Sequence, residues 1–287
     1  MKLLSKKRIE KCRYGIYLIK SNPLMMVGIL LILVLLLSAI FAPLLARHDP
    51  IEINPVKRLK APSLEHFFGT DQLGRDIYSR ILYGARISVR IGFIVILIAL
   101  TVGTLVGLIS IYNTVLDEIM MRLTDAFMSF PYLILAMITT MMLGPSLDNA
   151  ILAMAIVWWP SYARLLRGQG LSVQKNVYIE ASISLGASKS RVIFRHILPN
   201  SWVPILIQAT QDFGRVVIYA AGLSFIGLGA QPPIPEWGAM ISEGHTFLRT
   251  AWWCSVFPGV GIMVACMGSN LLGDGLRDVL DPKLKKG

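Results

Sequence analysis

The chain has 287 residues, of which 54% are hydrophobic and only 16% charged, with a mean hydropathy of +0.61. Soluble domains carry about 25% charged residues, so the deficit argues against an ordinary globular enzyme and for a polytopic membrane protein. The net charge of +11 does not mark a nucleic-acid binder. Many basic residues flank apolar runs, where they anchor and orient helix ends, and no motif interleaves basic and aromatic residues.

Residues 1–23 read as a cytoplasmic basic segment, with Lys2, Lys6, Lys7, Arg8, Lys11, Arg13 and Lys20 against a lone Glu10. Residues 3–20 can form an amphipathic helix lying on membrane lipid, with Leu3, Leu4, Ile9, Tyr14, Tyr17 and Leu18 toward the bilayer. The apolar run Leu24 to Ala46 is longer than the roughly 7–15 residues of a signal-peptide core. It reaches the ~20 residues that span a bilayer, so it is a retained first helix. From it to residue 287 runs one transmembrane domain, with no internal repeat and no low-complexity linker.

The expected fold class is an all-α membrane protein with six transmembrane helices at about 24–46, 87–112, 121–143, 148–166, 201–228 and 251–272. An even number of spans puts both termini on one side. The basic N-terminus and Arg277, Lys283, Lys285 and Lys286 of the tail place that side in the cytoplasm. The loop 168–200, with Lys175, Lys189, Arg191 and Arg195, falls on the same side, and segments 47–86 and 231–250 fall outside. Segment 47–86 is itself rich in Lys and Arg, against the rule; the dominance of the first helix decides the orientation.

The second span contains Gly103 and Gly107, a spacing that lets helix backbones approach closely. Pro131 and Pro160 interrupt the third and fourth, which neighbouring groups can accommodate. Cys254 and Cys266 share one helix about 18 Å apart, beyond disulfide reach, and His48, His66, His196 and His245 are scattered without metal-ligand spacing. Trp237, Trp252 and Trp253 read as interfacial anchors in preference to contacts for a binding protein.

Four charged residues fall within spans, each costing a few kcal/mol at the bilayer centre. Arg122 with Asp125, and Asp212 with Arg215, are spaced i, i+3 and can pair on one helix face. The first pair is expected to be structural. Asp212 lies about 16 Å past Ser201, so Asp212 and Arg215 are the candidates for lining a pathway; an interhelical hydrogen bond explains Asp212 equally well.

The most informative stretch lies between Lys175 and Asn200. Val177 to Leu185 reads as a short helix broken at Gly186, which turns at low steric cost. Ala187 to Ile197 reads as a second, closed by Pro199. The pattern Glu180-Ala181-Ser182, then Gly186, then Ile197-Leu198-Pro199 resembles the cytoplasmic signature of bacterial ABC-importer permeases. Phe68-Gly69-Thr70-Asp71-Gln72-Leu73-Gly74-Arg75-Asp76, Leu223-Ser224-Phe225-Ile226-Gly227-Leu228-Gly229, Glu236-Trp237-Gly238 and Asn270-Leu271-Leu272-Gly273-Asp274-Gly275-Leu276-Arg277-Asp278 are similar to the dipeptide/oligopeptide/nickel permeases, in particular their C-type subunit. The resemblance runs from about residue 20 to 284.

That resemblance implies a type I ABC-importer permease fold in the cytoplasmic membrane of a bacterium or archaeon. It implies a coupling helix at Glu180, Ala181, Ser182, Gly186, Ala187, Leu198 and Pro199 that docks on an ATPase. The implied partners are a second, homologous permease subunit, two ABC ATPase subunits that bind ATP and Mg, and an extracytoplasmic substrate-binding protein. The expected cargo is a di- or oligopeptide, with nickel or a metal chelate as the alternative. Ala220 stands where many peptide permeases carry a glutamate, which loosens any substrate detail. The chain itself needs no cofactor or metal: it has no GxxxxGK[ST] phosphate loop and no HExxH or GxSxG, so it is not expected to be an enzyme. An ATP-independent secondary transporter using Asp212 is the rival from another class; no inverted repeat supports it.

Overall fold

The computed structural model describes residues 22–280, and the expectations for residues 1–21 and for the end of the tail fall outside them. Among the described residues the chain is helical, with one isolated β-bridge between Thr70 and Asp76. Helix α1 (Pro23–Ile40) starts where the Asn22 side chain accepts the Met25 N–H and Pro23 opens the first turn, a position where its missing N–H costs nothing. A short α2 (Ala42–Leu45) follows. Helix α3 (Ile77–Tyr112) begins ten residues before the expected span, because the Asp76 carboxylate accepts the Ser79 N–H at 2.8 Å and caps it. The segment expected to be a loop from 47 to 86 therefore ends at Asp76.

Asn113 ends α3 and caps α4 (Thr114–Met128). Ser129, Phe130 and Pro131 then separate α4 from α5 (Tyr132–Leu143), and the two helices meet at 90°. The expected third span is thus a broken one, and its break sits at Pro131, as proline's missing N–H and its constraint on the preceding residue require. Helix α6 (Leu147–Gln174) passes through Pro160 without ending and runs well past residue 166. The chain continues in α7 (Val177–Ser184), α8 (Lys189–Val192) and α9 (Leu198–Phe225). A short α10 (Trp237–Gly244) occupies the segment read as an outer loop, and α11 (Trp253–Leu280) completes the bundle.

Among the described residues, three helices, α1, α3 and α11, are long and apolar enough to cross a membrane, or four if the bent α4–α5 pair is one span. Helices α6 and α9, of 28 residues each, reach about 42 Å; they are more polar because they carry the groups described below. The core lies where α3, α6 and α9 meet, around Ile91, Val95, Tyr162, Leu166, Ile205 and Val216. Gly103 and Gly107 are the close-approach points of α3 and α6. A β-carbon on Gly103 would stand 2.5 Å from the Trp159 carbonyl oxygen, and one on Gly107 2.9 Å from Leu166 Cβ. Without side chains there, the two backbones pack at a distance that larger residues forbid.

The second cluster joins α1, α3, α10 and α11. Its centre is Trp237, 1% exposed, whose indole N–H donates to the Ile81 carbonyl at 3.2 Å. Trp253 is also buried and donates to the Thr70 carbonyl at 3.1 Å. The expectation that these two are interfacial anchors is therefore wrong; both are core residues with satisfied indole nitrogens. Only Trp252, half exposed, keeps the exposure of an anchor.

Candidate functional site: a surface knob and a polar pocket on shared helices

The knob from Val177 to Pro199 is built from its backbone outward. Gly186 has φ = +86°, the left-handed region that side chains disfavour. In that conformation its N–H donates to the Ile183 carbonyl at 2.9 Å and the Ala187 N–H to the Ser182 carbonyl at 3.1 Å. The pair satisfies carbonyls that the end of α7 would otherwise leave bare. Ser188 then caps α8 through the Arg191 N–H.

The second helix differs from expectation. It starts at Lys189, not Ala187, and Pro199 does not close it. Residues Ile193–Ile197 form a turn of π-helix, closed by a Leu198 N–H to Ile193 carbonyl bond, that leads straight into α9. The cause is Pro199, which has no N–H to offer the preceding turn. Just after it, Asn200 Nδ2 donates to the His196 carbonyl at 2.6 Å and Ser201 Oγ to the Ile197 carbonyl at 2.9 Å, side-chain bonds back to the preceding turn.

The knob has two faces. Inside, Ile179, Val192, Ile193 and Ile197 are buried against Leu108 and Ile111 of α3 and Val173 of α6. Outside, Glu180, Ala181, Gly186 and Pro199 are exposed, and Ser182, Ala187 and Leu198 are partly so. Sequence reading stressed the small residues and missed the large ones: Val177 is 80% and Leu185 89% exposed, with Ile183 and Phe194 also bare. Their signal was available, since α7 has apolar residues on both sides of a helix too short to bury them all. Arg191 and Arg195 are exposed and make no ion pair among the described residues.

Asp212 and Arg215 do pair, at 3.1 Å, as their spacing predicts. Asp212 is 1% exposed and also accepts from Gln208 Nε2 at 3.0 Å. The buried Tyr162 hydroxyl lies beside the same carboxylate without a well-formed hydrogen bond. Tyr132, Trp158, Ser161, Gln208 and Tyr219 complete a pocket of about 260 Å³ around the pair. Trp158 stacks on Tyr132 and meets Tyr219 edge-on. The 4-3-4 spacing of Gln208, Asp212, Arg215 and Tyr219 puts them on one face of α9; only the two charged members were singled out from sequence. Gln208 also lines a larger cleft of about 670 Å³ bounded by Gln169, Pro199, Asn200, Pro204 and Arg277. Helix α9 thus lines both cavities, with Val203, Pro204 and Ile207 between Asn200 and Gln208. Ala220 is buried in the core and faces neither cavity.

The other expected pair does not form. Arg122 binds Glu118 at 2.6 Å, one turn earlier on α4, and Asp125 binds Arg164 of α6. Nearby, Arg167 makes a two-point bond to Asp117 at 2.6 and 2.7 Å. Arg122 is thus satisfied within α4, while Arg164 and Arg167 reach Asp125 and Asp117 across the interface and tie α4 to α6. At the opposite end, Asp71, Arg75, Arg80 and Glu243 form a largely buried network that fastens the 46–76 segment to α3 and α10.

A helical bundle with apolar spans, a proline-broken helix pair and a surface knob is the architecture of a polytopic membrane protein. Residues 99–286 match the binding-protein-dependent transport system inner membrane component, and residues 18–62 match the N-terminal TM domain of oligopeptide transport permease C. The chain belongs to this family of inner-membrane transport components, and its members are permease proteins and not enzymes. It is 47% identical over 268 residues to the dipeptide transport system permease protein DppC of Alkalihalophilus pseudofirmus, covering 93% of this chain and 88% of that protein. It is 45% identical over 269 residues to the probable D,D-dipeptide transport system permease protein DdpC of Escherichia coli, covering 93% and 90%. The oligopeptide transport system permease protein OppC of Bacillus subtilis is 40% identical over 284 residues, covering 99% and 93%. The fold matches a permease chain of the MetNI methionine ABC transporter with a TM-score of 0.58 at 20% identity, over 70% of this chain and 97% of that one. These matches remove the ATP-independent secondary transporter from consideration.

Proposed function

We propose that this chain is one of two homologous permease subunits of an ABC importer that moves di- or oligopeptides. Two partner ATPases bind ATP and Mg, and an extracytoplasmic protein delivers the peptide. The observation that carries the coupling role is the two-faced knob. Its inner side is locked to α3 and α6, while Val177, Ile183 and Leu185 stand bare in a chain whose other exposed apolar residues lie largely on long helices suited to lipid. An exposed apolar patch on a short polar-flanked helix is a protein contact, and in this assembly the fitting partner is the ATPase. The peptide cargo is supported by the three named relatives. A pocket with one buried carboxylate, one half-exposed guanidinium and aromatic walls suits a zwitterion with an apolar side chain.

The test is Leu185→Glu in the complete transporter in proteoliposomes. Burying a leucine contributes about 1.5–3 kcal/mol, so the variant is expected to weaken ATPase association roughly 10- to 100-fold and abolish ATP-driven dipeptide uptake. Wild-type association and uptake in this variant would overturn the assignment.

A further inference from the structure

We propose that His48 and His66, with Asp76 orienting the His66 ring from behind, form a site for one divalent transition-metal ion of zinc-like character in the segment that joins α2 to α3. The three residues are distant in sequence terms, but one donor atom from each lies within 4.8 Å of the others. The His66 Nδ1–Asp76 Oδ1 distance is 2.8 Å, and both side chains are buried. The other Asp76 oxygen is held by the Ser79 N–H at the start of α3, so the carboxylate is fixed twice over. The His48 ring lies against the His66 ring with centroids 4.7 Å apart.

The second, independent observation is His66 Nε2. It is buried and has no hydrogen-bond partner. When Asp76 accepts the Nδ1 proton, Nε2 carries a bare lone pair, and a buried polar atom left unpaired costs about 1–3 kcal/mol. A carboxylate behind one imidazole nitrogen with the other nitrogen free is the arrangement that backs metal-bound histidines, fixing tautomer and ring orientation and raising ligand basicity. The cavity beside it, about 50 Å³, is lined by Asp49, Glu52, Asn54 and Lys57 as well as the three residues. Its carboxylates outnumber its ammonium, and Lys57 is itself engaged by Glu65 at 2.5 Å. Two imidazoles with carboxylate select zinc, nickel or copper over calcium or magnesium, and the cavity carboxylates or water supply the remaining positions.

The experiment uses the full chain in its transporter complex, purified without a histidine tag and stripped with chelator. Zinc binding is measured by equilibrium dialysis, and thermal unfolding is followed with and without zinc. One saturable zinc per chain is expected, with a zinc-dependent rise in the melting temperature, since a ligand that binds only the folded state stabilises it. His48→Ala and His66→Gln are each expected to lose at least ~10-fold in affinity and the zinc-dependent shift. His48 is only partly buried, so its variant tests the site even where the His66 variant folds poorly. Absence of stoichiometric binding in the wild type, or retention of wild-type affinity by His48→Ala, would overturn the proposal.

Discussion

Gly186 offers the sharpest test of the proposed coupling element, because its contribution can be worked out from backbone geometry alone. No atom lies within 4 Å of where its β-carbon would be, so a substitution meets no clash and acts only through φ = +86°. For an L-residue this conformation costs roughly 1–2 kcal/mol. Gly186→Ala should therefore lower the ratio of correctly turned to unturned knob by about 5- to 30-fold relative to glycine. Gly186→Asn should cost much less, since asparagine tolerates this region. Gly186→Pro should cost most: its φ is fixed near −65°, and it removes the N–H that bonds the Ile183 carbonyl at 2.9 Å. The assay is dipeptide uptake per ATP hydrolysed in proteoliposomes, normalised to permease present in the membrane. The order Gly, Asn, Ala, Pro is expected in the coupling ratio, with membrane levels unchanged because the inner face of the knob does not involve Gly186. Wild-type coupling in the proline variant, or a loss in all three that follows side-chain size and not φ, would refute the reasoning.

Asp212→Asn keeps the size and the Gln208 acceptor but removes the charge, and Arg215, half exposed, can turn to water; uptake is expected to fall at least ~10-fold with ATPase assembly intact, whereas Asp212→Ala should also lower stability by about 1–3 kcal/mol through unpaired donors. Equal uptake by Asp212→Asn and wild type would reduce Asp212 to a structural bond. Glu236 caps α10 through the Ala239 N–H at 3.0 Å while 1% exposed. Burial raises its carboxyl above the ordinary range, against the lowering effect of the Ala239 and Gly238 N–H groups. A raised folded pKa means that the native state holds the extra proton, so stability is greatest below the unfolded value and declines as pH rises through the folded one. Glu236→Gln, which keeps the capping oxygen, should flatten that decline in thermal unfolding measured across pH 4 to 8; an unchanged pH profile would count against an ionising Glu236.

Much of the fold was legible because apolar run length is a direct consequence of bilayer thickness. The break at Pro131, the approach at Gly103 and Gly107, and the Asp212–Arg215 pair were likewise readable from local rules. What failed were judgements needing a partner from another element. Arg122 and Asp125 satisfy a local spacing, yet Glu118 and Arg164 compete better, and Arg164 is brought in by tertiary packing alone. Trp237 and Trp253 look like surface aromatics in composition; only the folding of α10 between α3, α9 and α11 reveals that their indoles have buried acceptors. The start of α3 was missed because hydropathy begins at Ile87 while the helix begins with its cap at Asp76, ahead of polar residues such as Arg80 that are neutralised across the sequence by Glu243. The nearness of His48, His66 and Asp76 was hidden for the same reason: their sequence spacing does not announce it, and the contacts of His48 with Ser79 and Glu65 and of His66 with Asp76 create it.

The knob and the pocket share their mechanical elements, which bears on how an event at one reaches the other. Helix α9 runs without a break from Leu198, at the knob, to Phe225, and carries Gln208, Asp212, Arg215 and Tyr219 on the way. Asp212 is about 21 Å from Leu198 along that helix. Helix α6 supplies Val173 to the underside of the knob and Trp158 and Ser161 to the pocket. A displacement of the knob is therefore passed to both walls of the pocket by rigid helices, with no flexible loop in series. The π-turn at Ile193–Ile197 is the one irregular step between α8 and α9, and the bonds from Asn200 and Ser201 stiffen it. Coupling requires an element that both sites bias, and the joint between knob and α9 is the irregular point on the path between them. Asn200→Ala and Ser201→Ala together should loosen that joint, lowering uptake per ATP while leaving ATPase binding at the exposed face of α7 intact. Loss of ATPase binding in the double variant would instead place the two side chains in the docking surface, and an unchanged uptake per ATP would show that the joint transmits nothing.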